Sequence, residues 1–271
     1  LNAGFSPLIT FGMLFLLERF SNVTTDLRLQ EFEDINHPLL AKLNEVAPGT
    51  YQHTLSVAML AEKCALAIKA NSLLAKVGAY FHDIGKIIKP EYFTENQINM
   101  DNKHDSLSPK KSADAIRQHV HDGIRLAKEY KLPQRIVDFI PMHHGNSVIK
   151  HFYAKALEEA HGNPVDIEEY RYHSIKPNSK ETVIVMICDS CEALSKVPFK
   201  TNEELEKAIE KNIHDKLIDG QFNESSITLR DLKIIQETCL KTIVATLHPR
   251  VEYKEIPETK SEEPDSSNFE N

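Results

Sequence analysis

The residues most able to do chemistry lie between positions 80 and 86, where His82 and Asp83 are adjacent and Lys86 follows three residues later. Imidazole and carboxylate are metal ligands, a carboxylate can bridge two cations, and a lysine adds a positive charge. Together they suit a metal held beside a phosphate. One His-Asp pair is weak support, and a second pair occurs 22 residues downstream. The interpretation therefore depends on further ligands elsewhere.

Five other residues are candidate ligands because they fall at expected helix ends or on apolar helices. They are His53, His119, His143, His144 and Asp189. Asp189 follows six apolar residues on a helix that should be buried, so its carboxylate needs a partner or a cation. His121 lies only two residues from His119, roughly 200° away around a helix, so only one of them can face a common site.

Five histidines and two aspartates exceed the needs of one four- to six-coordinate ion. They match two ions that share a bridging carboxylate and leave positions for water and substrate. Imidazole-rich ligation with carboxylates favours iron, manganese or zinc over magnesium or calcium.

Apolar residues recur at helical spacing along most of the chain, which predicts an all-α fold. The pattern breaks down over residues 87–107, which should be irregular. The candidate ligands require helices that end or face inward where those residues lie. The expected helices are about 39–47, 50–70 with His53 in the first turn, 72–84 stopped by Gly85, 109–130, 133–144, 148–160, one capped by Ser179 that carries Asp189, 201–220 with a Thr201–Glu204 capping box, and 228–247.

The composition of the chain limits the classes of function that it can have. The 271 residues are 41% apolar and 27% charged, typical of a soluble helical protein, and the formal charge of -8 argues against DNA or RNA polymers as partners. Four scattered cysteines include the pair Cys188-x-x-Cys191. This pair suggests zinc or redox chemistry, but without a second pair the favoured interpretation is reduced, buried thiols.

Both ends of the chain differ from its middle. Residues 8–17 are nearly all apolar but too short to span a bilayer, so they fit either the end of a membrane helix or a helix packed on the domain. From Glu252 to Asn271 there are seven acidic and two basic residues and no apolar period, which predicts a disordered acidic tail. We expect a separate segment at 1–20, one domain at 21–250 and the tail at 251–271.

The order His53, His82-Asp83, Asp189 resembles the signature of the HD-domain metal-dependent phosphohydrolases. The blocks around it are similar to the seven-transmembrane HD proteins, the PgpH-type cyclic di-AMP phosphodiesterases. These blocks are residues 47–53, 81–86, 118–123, 143–145 and 151–153. Gln52 stands where a histidine is commoner in that family, and Asn146-Ser147 where threonines are commoner, so these positions bear on substrate contacts rather than ligands.

The resemblance implies a single HD-domain helical bundle with two divalent ions, iron or manganese. One ion would be held by His53, His82, Asp83 and Asp189, and the other by His119, His143 and His144, with Asp83 bridging. It also implies a location on the cytoplasmic face of the cell membrane, as the soluble domain of a multi-pass membrane protein anchored through a preceding region. Residues 1–20 would then be a juxtamembrane segment or the end of the last membrane helix.

The implied activity is hydrolysis of cyclic di-AMP to pApA, with Asp83 and Lys86 as catalytic residues and Lys86 on the phosphate oxygens. Without the resemblance, a solvated lysine at a helix end is an equally good interpretation of Lys86. Two alternatives stay open. One is another HD nucleotide phosphohydrolase that uses a single ion, and the other is a sensor domain that binds the cyclic dinucleotide without cleaving it.

Overall fold

The computed structural model describes residues 24–97 and 101–247, with residues 5–7, 9–10 and 12–13 near the start. Throughout these ranges the regular elements are helices, and the β pairing is one isolated bridge between Val148 and Arg171. The all-α prediction is therefore confirmed. The α-helices are α1 (Asp26–Gln30), α2 (Pro38–Val46), α3 (Pro48–Ala67), α4 (Ser72–Phe81), α5 (Pro109–Glu129), α6 (Gln134–Val137), α7 (Phe139–Met142), α8 (Lys150–Glu159), α9 (Lys180–Ser195), α10 (Asn202–Ile218) and α11 (Leu229–Leu247).

The predictions for the two ends fall largely or wholly outside the described residues. Most of the apolar stretch 8–17 and all of the tail 251–271 belong to that part of the sequence. Among the helices that the structure describes, none has both the length and the apolar composition needed to cross a bilayer. The boundaries at 20 and 250 stay predictions.

The core forms around α9, whose residues 182–188 are all buried. This helix packs against α3, α4 and α10, and α3 in turn packs against α4 and α11. Because α3 and α9 are in contact, ligands separated by more than a hundred residues in sequence can meet at one site. All four cysteines are free and buried here, as predicted, and Sγ of Cys64 lies 3.5 Å from Sγ of Cys239.

The helix that carries His53 begins earlier than predicted. Pro48 occupies the first turn of α3, where its missing N–H costs nothing. His53 therefore lies in the second turn of α3 rather than the first. The start of α3 also packs against the 87–107 segment, since the side chain of Asn96 accepts a hydrogen bond from the backbone N–H of Thr50 at 3.0 Å.

The helix before His82 ends earlier than predicted, at Phe81, and a 3-10 helix over Ile84–Ile87 follows. Gly85 has a different role from the predicted helix stop. A Cβ at this position would lie 1.8 Å from the carbonyl oxygen of His119, on α5. Glycine thus lets the turn after His82-Asp83 pack directly on the backbone of α5.

Three further predictions change in detail. The expected helix 133–144 is two four-residue helices, α6 and α7. The 87–107 segment, expected to be irregular, contains short 3-10 helices at Pro90–Tyr92, Thr94–Asn96 and Lys103–Ser106. At α10 only half of the capping box forms, because the Glu204 carboxylate accepts from the N–H of Lys200 and not from that of Thr201.

Candidate metal centre

Three buried histidines are held in the same way by the backbone. In each, Nδ1 faces a carbonyl oxygen three or four residues earlier, at 2.7 Å for His82 and Ala79, 2.6 Å for His119 and Ile116, and 3.1 Å for His143 and Phe139. Because a carbonyl oxygen can only accept, Nδ1 carries the proton, and a neutral ring then presents the lone pair of Nε2. This is the usual arrangement of metal-binding histidines.

The Nε2 atoms of these three histidines are buried, and none has a hydrogen-bond partner within the described part of the chain. Oδ1 of Asp83 is buried and unpartnered in the same way. Buried polar atoms rarely lack partners, so these four, which lie around the carboxylate of Asp83, indicate a site for cations. The donor set of imidazole nitrogens and carboxylate oxygens suits a divalent transition-metal ion.

The seven predicted ligand residues come together as two groups that share Asp83. One group is His53, His82, Asp83 and Asp189, and the other is Asp83, His119, His143 and His144; within each group the ligand atoms lie within 4.8 Å of one another. No predicted ligand lies away from the centre. His121, on the solvent side of α5, is exposed, which agrees with the argument that only one of the two α5 histidines can face it.

The two oxygens of Asp83 face different groups. Oδ2 lies 3.2 Å from Nε2 of His82 and 3.7 Å from Nε2 of His53. Oδ1 lies 3.5 Å from Nε2 of His119 and 3.5 Å from Nε2 of His143. A carboxylate in this position can give one oxygen to each of two cations.

His53 is oriented by a residue that the sequence analysis missed. Its Nδ1 lies in hydrogen-bonding contact with Oε2 of Glu192, and its Nε2 lies 3.0 Å from Oδ1 of Asp189. Glu192 is buried although it is charged. The available signal was its spacing: it follows Asp189 by three residues on the same helix, so both acids share a face of α9.

Burial and the contacts described above determine the pKa values of the ligand residues. Burial opposes a charged ring at His53, but hydrogen bonds with Asp189 and Glu192 raise its pKa to about 9. Burial lowers the pKa of His119 to about 3. Burial disfavours ionised Asp83, yet the charge of Lys86 and then of His82 holds its pKa well below the usual value. The shared carboxylate is therefore ionised, as a bridging ligand must be.

Lys86 lies between two carboxylates. Its Nζ is 2.8 Å from Oδ2 of Asp83 and 2.8 Å from Oε1 of Glu95, and it lies 4.8 Å from the ring centre of Phe93. Burial would lower the pKa of Lys86, but the charges of Asp83 and Glu95 raise it. The predicted contact with phosphate oxygens stays a prediction, and the observed contacts favour a role in holding Asp83. Glu95 was missed because it lies in a segment without periodicity.

Aromatic rings pack around the second group of ligands. The ring of His144 stacks on Tyr172 with a centroid separation of 4.1 Å and an angle of 19°, and the rings of Phe93 and His119 are perpendicular with centroids 5.6 Å apart. Neither aromatic residue was singled out from the sequence. The other His-Asp pair lies outside both groups, where His104 donates to the carbonyl of Tyr92 at 2.9 Å.

Comparisons with known proteins agree with this geometry. The model of the HD domain family matches residues 50–194. The cyclic-di-AMP phosphodiesterase PgpH of Bacillus subtilis (strain 168) is 43% identical over 251 residues, which are 92% of this chain and 35% of the relative. PgpH of Listeria monocytogenes serotype 1/2a (strain 10403S) is 44% identical over 245 residues, 89% of this chain and 34% of the relative.

A crystal structure of the L. monocytogenes PgpH HD domain in complex with cyclic-di-AMP has a TM-score of 0.75 and 44% identity, over 79% of this chain and 99% of that chain. The chain spans about a third of the length of the two curated relatives. The family match covers all seven predicted ligands, from His53 to Asp189. The chain belongs to the HD domain family.

Proposed function

We propose that this chain hydrolyses cyclic di-AMP to the linear dinucleotide pApA, using two divalent cations, iron or manganese, held by the two groups of ligands. The observation that carries the two-ion part is the orientation of Asp83, whose oxygens face separate groups of histidines. The substrate is supported by the two PgpH relatives and by the related HD domain that binds cyclic-di-AMP.

The ligand set has the chemistry that such a reaction needs. Two bound cations would supply Lewis acidity at the phosphate and activate a water molecule for in-line attack. The protein holds the ligand side chains in fixed orientations. Backbone carbonyls orient His82, His119 and His143, and the Glu192 carboxylate orients His53. Lys86 keeps Asp83 ionised, so the bridging carboxylate is ready without rearrangement.

The expected location of this activity in the cell is inferred from the relatives. We expect the chain to act at the cytoplasmic face of the membrane, as part of a multi-pass protein that lowers the concentration of the second messenger. Only about a third of each PgpH relative is matched. Expression of the complete natural protein with a fluorescent tag, followed by membrane fractionation, tests the location separately from the activity.

Purification without oxygen, metal analysis and a product assay test the activity. Wild-type protein should hold about two ions per chain and convert cyclic di-AMP to pApA faster than it cleaves cyclic di-GMP. Replacement of both His82 and Asp83 by alanine should abolish hydrolysis while far-UV circular dichroism stays helical. Retained hydrolysis in that variant would refute the assignment of the site.

The same experiment separates the alternatives. One ion per chain with hydrolysis of other nucleotides would favour a different HD nucleotide phosphohydrolase. Tight binding of cyclic di-AMP without any pApA would favour a sensor domain. Asp83 argues against the first alternative, because its two oxygens have two sets of neighbours. The complete ligand set argues against the second.

A further inference from the structure

A cavity of about 930 Å³ lies between the start of α8, the end of α9 and α10. Ser147 lines it three residues after His144, and Leu194 lines it five residues after Asp189. The cavity thus lies next to segments that supply both groups of ligands. Its volume is within the range of pockets that bury small ligands, and its walls combine apolar and charged side chains.

Most of the cations in the cavity wall are already paired. Lys150 lies 2.7 Å from Asp215, and Lys211 lies 3.1 Å from the same carboxylate. The guanidinium of Arg171 lies 3.2 Å from Asp219. Each of these charges therefore has a partner within the protein.

Lys216 differs from these neighbours. It lines the cavity from α10, it is half-buried, and its ammonium forms neither an ion pair nor a hydrogen bond with any residue in the described ranges. Burial lowers its pKa, and the charge of Asp189 opposes that shift. The chain just after this helix is joined to the segment that follows His144, because the side chain of Gln221 accepts a hydrogen bond from the backbone N–H of Asn146 at 3.3 Å. A partly desolvated cation without a partner is costly unless a ligand supplies the anion.

A cyclic dinucleotide carries two phosphodiester anions, and only one can be hydrolysed at the metal centre at a time. The other then lies outside the metal centre and needs a separate cation. We propose that Lys216 binds this second phosphate and thereby favours substrates with two phosphates. The inference rests on the proposed function. Lys86 cannot serve in the same way, since two carboxylates already engage it.

The test compares two substrates in variants of the full chain. Cyclic di-AMP has two phosphates, whereas bis(p-nitrophenyl) phosphate has one. Lys216→Met should raise KM for cyclic di-AMP at least about tenfold, the usual effect of losing a charged hydrogen bond. Turnover of bis(p-nitrophenyl) phosphate should change less than about twofold. Lys216→Arg should restore much of the affinity. Lys207→Met is the control, an exposed lysine on the same helix outside the cavity.

Three other outcomes overturn the inference in different ways. Equal KM values for Lys216→Met and Lys207→Met would remove Lys216 from binding and leave the proposed activity intact. Equal loss on both substrates would mean that Lys216 supports the metal centre and does not recognise a second phosphate. A wild-type protein that cleaves bis(p-nitrophenyl) phosphate but not cyclic di-AMP would refute the proposed function, and the inference with it.

Discussion

The ammonium of Lys86 lies 2.8 Å from Oδ2 of Asp83, the carboxylate that the two ligand groups share. The pair is almost completely buried, and Glu95 completes the contact on the other side of the ammonium. A buried cation beside a bridging carboxylate keeps that carboxylate ionised, and it limits where the carboxylate can move. The relationship makes Lys86 a support for the metal ligands.

Lys86→Met should therefore lower metal content. Without the ammonium, the pKa of Asp83 rises and its position loosens, and loss of such a support typically costs 10- to 100-fold in metal affinity or activity. Metal analysis after dialysis against a weak chelator measures the effect, and added metal should rescue much of the activity. Lys89→Met is the control, because Lys89 is exposed three residues away. Full metal content with a raised KM would instead assign Lys86 to the phosphate.

His119→Gln and His121→Gln form a matched pair on α5. His119 is buried with Nε2 directed at Asp83, whereas His121 is exposed. The first change should remove about one ion per chain and reduce hydrolysis at least about a hundredfold, since a ligand of the second ion is lost. The second should leave metal content and rate within about twofold. Inductively coupled plasma mass spectrometry with a pApA assay measures both, and similar losses in the two variants would contradict the site.

The residue types and their helical context were enough to predict which seven residues the structure brings together. His82-Asp83 and Asp189 follow apolar runs, and a charged group there must have a partner. Residues 119 and 121 point in different directions on α5, which was enough to show that only one of His119 and His121 can face the site. These inferences hold because they depend on local sequence and on helix geometry.

The supporting residues could not be predicted in the same way. The contact between His53 and Glu192 joins positions 139 residues apart and exists only because α3 packs on α9. Glu95 reaches Lys86 from a segment without periodicity, and Tyr172 reaches His144 from a loop. Gly85 looked like a helix stop, yet its function is close backbone packing. Each of these roles is set by tertiary contacts that no local pattern records.

Glu192→Gln should destabilise the metal-free protein in a pH-dependent way. The pKa of His53 is raised from 6.5 to about 9, so pairing with its carboxylates stabilises the fold fully below pH 6.5 and is lost as the pH rises through 9. The variant should be less stable by about 2 kcal/mol at pH 6.5, and the difference should shrink towards pH 9.5. Urea unfolding in EDTA measures it.

Two other residues show whether this pH dependence comes from the pairing of Glu192 with His53. Lys196 also contacts Glu192, at 2.9 Å, but a lysine stays charged across this pH window and contributes no such slope. Glu210→Gln removes an exposed carboxylate on α10 and should show no difference at either pH. A stability difference between wild type and Glu192→Gln that is constant from pH 6.5 to 9.5 would contradict the pairing with His53.

Gly85→Ala and Gly123→Ala test the contact between the turn after Asp83 and α5. A Cβ on Gly85 would lie 1.8 Å from the backbone oxygen of His119, which cannot move without displacing a ligand. A Cβ on Gly123 first meets a side-chain methyl of Ile140 at 2.8 Å, and alanine also gains about 1 kcal/mol of helix propensity there. Gly85→Ala should cost about 3 kcal/mol and lower metal content, whereas Gly123→Ala should cost about 1 kcal/mol or less. Urea unfolding of the metal-free proteins measures the difference, and equal stability of the two variants would mean that α5 does not depend on this close approach.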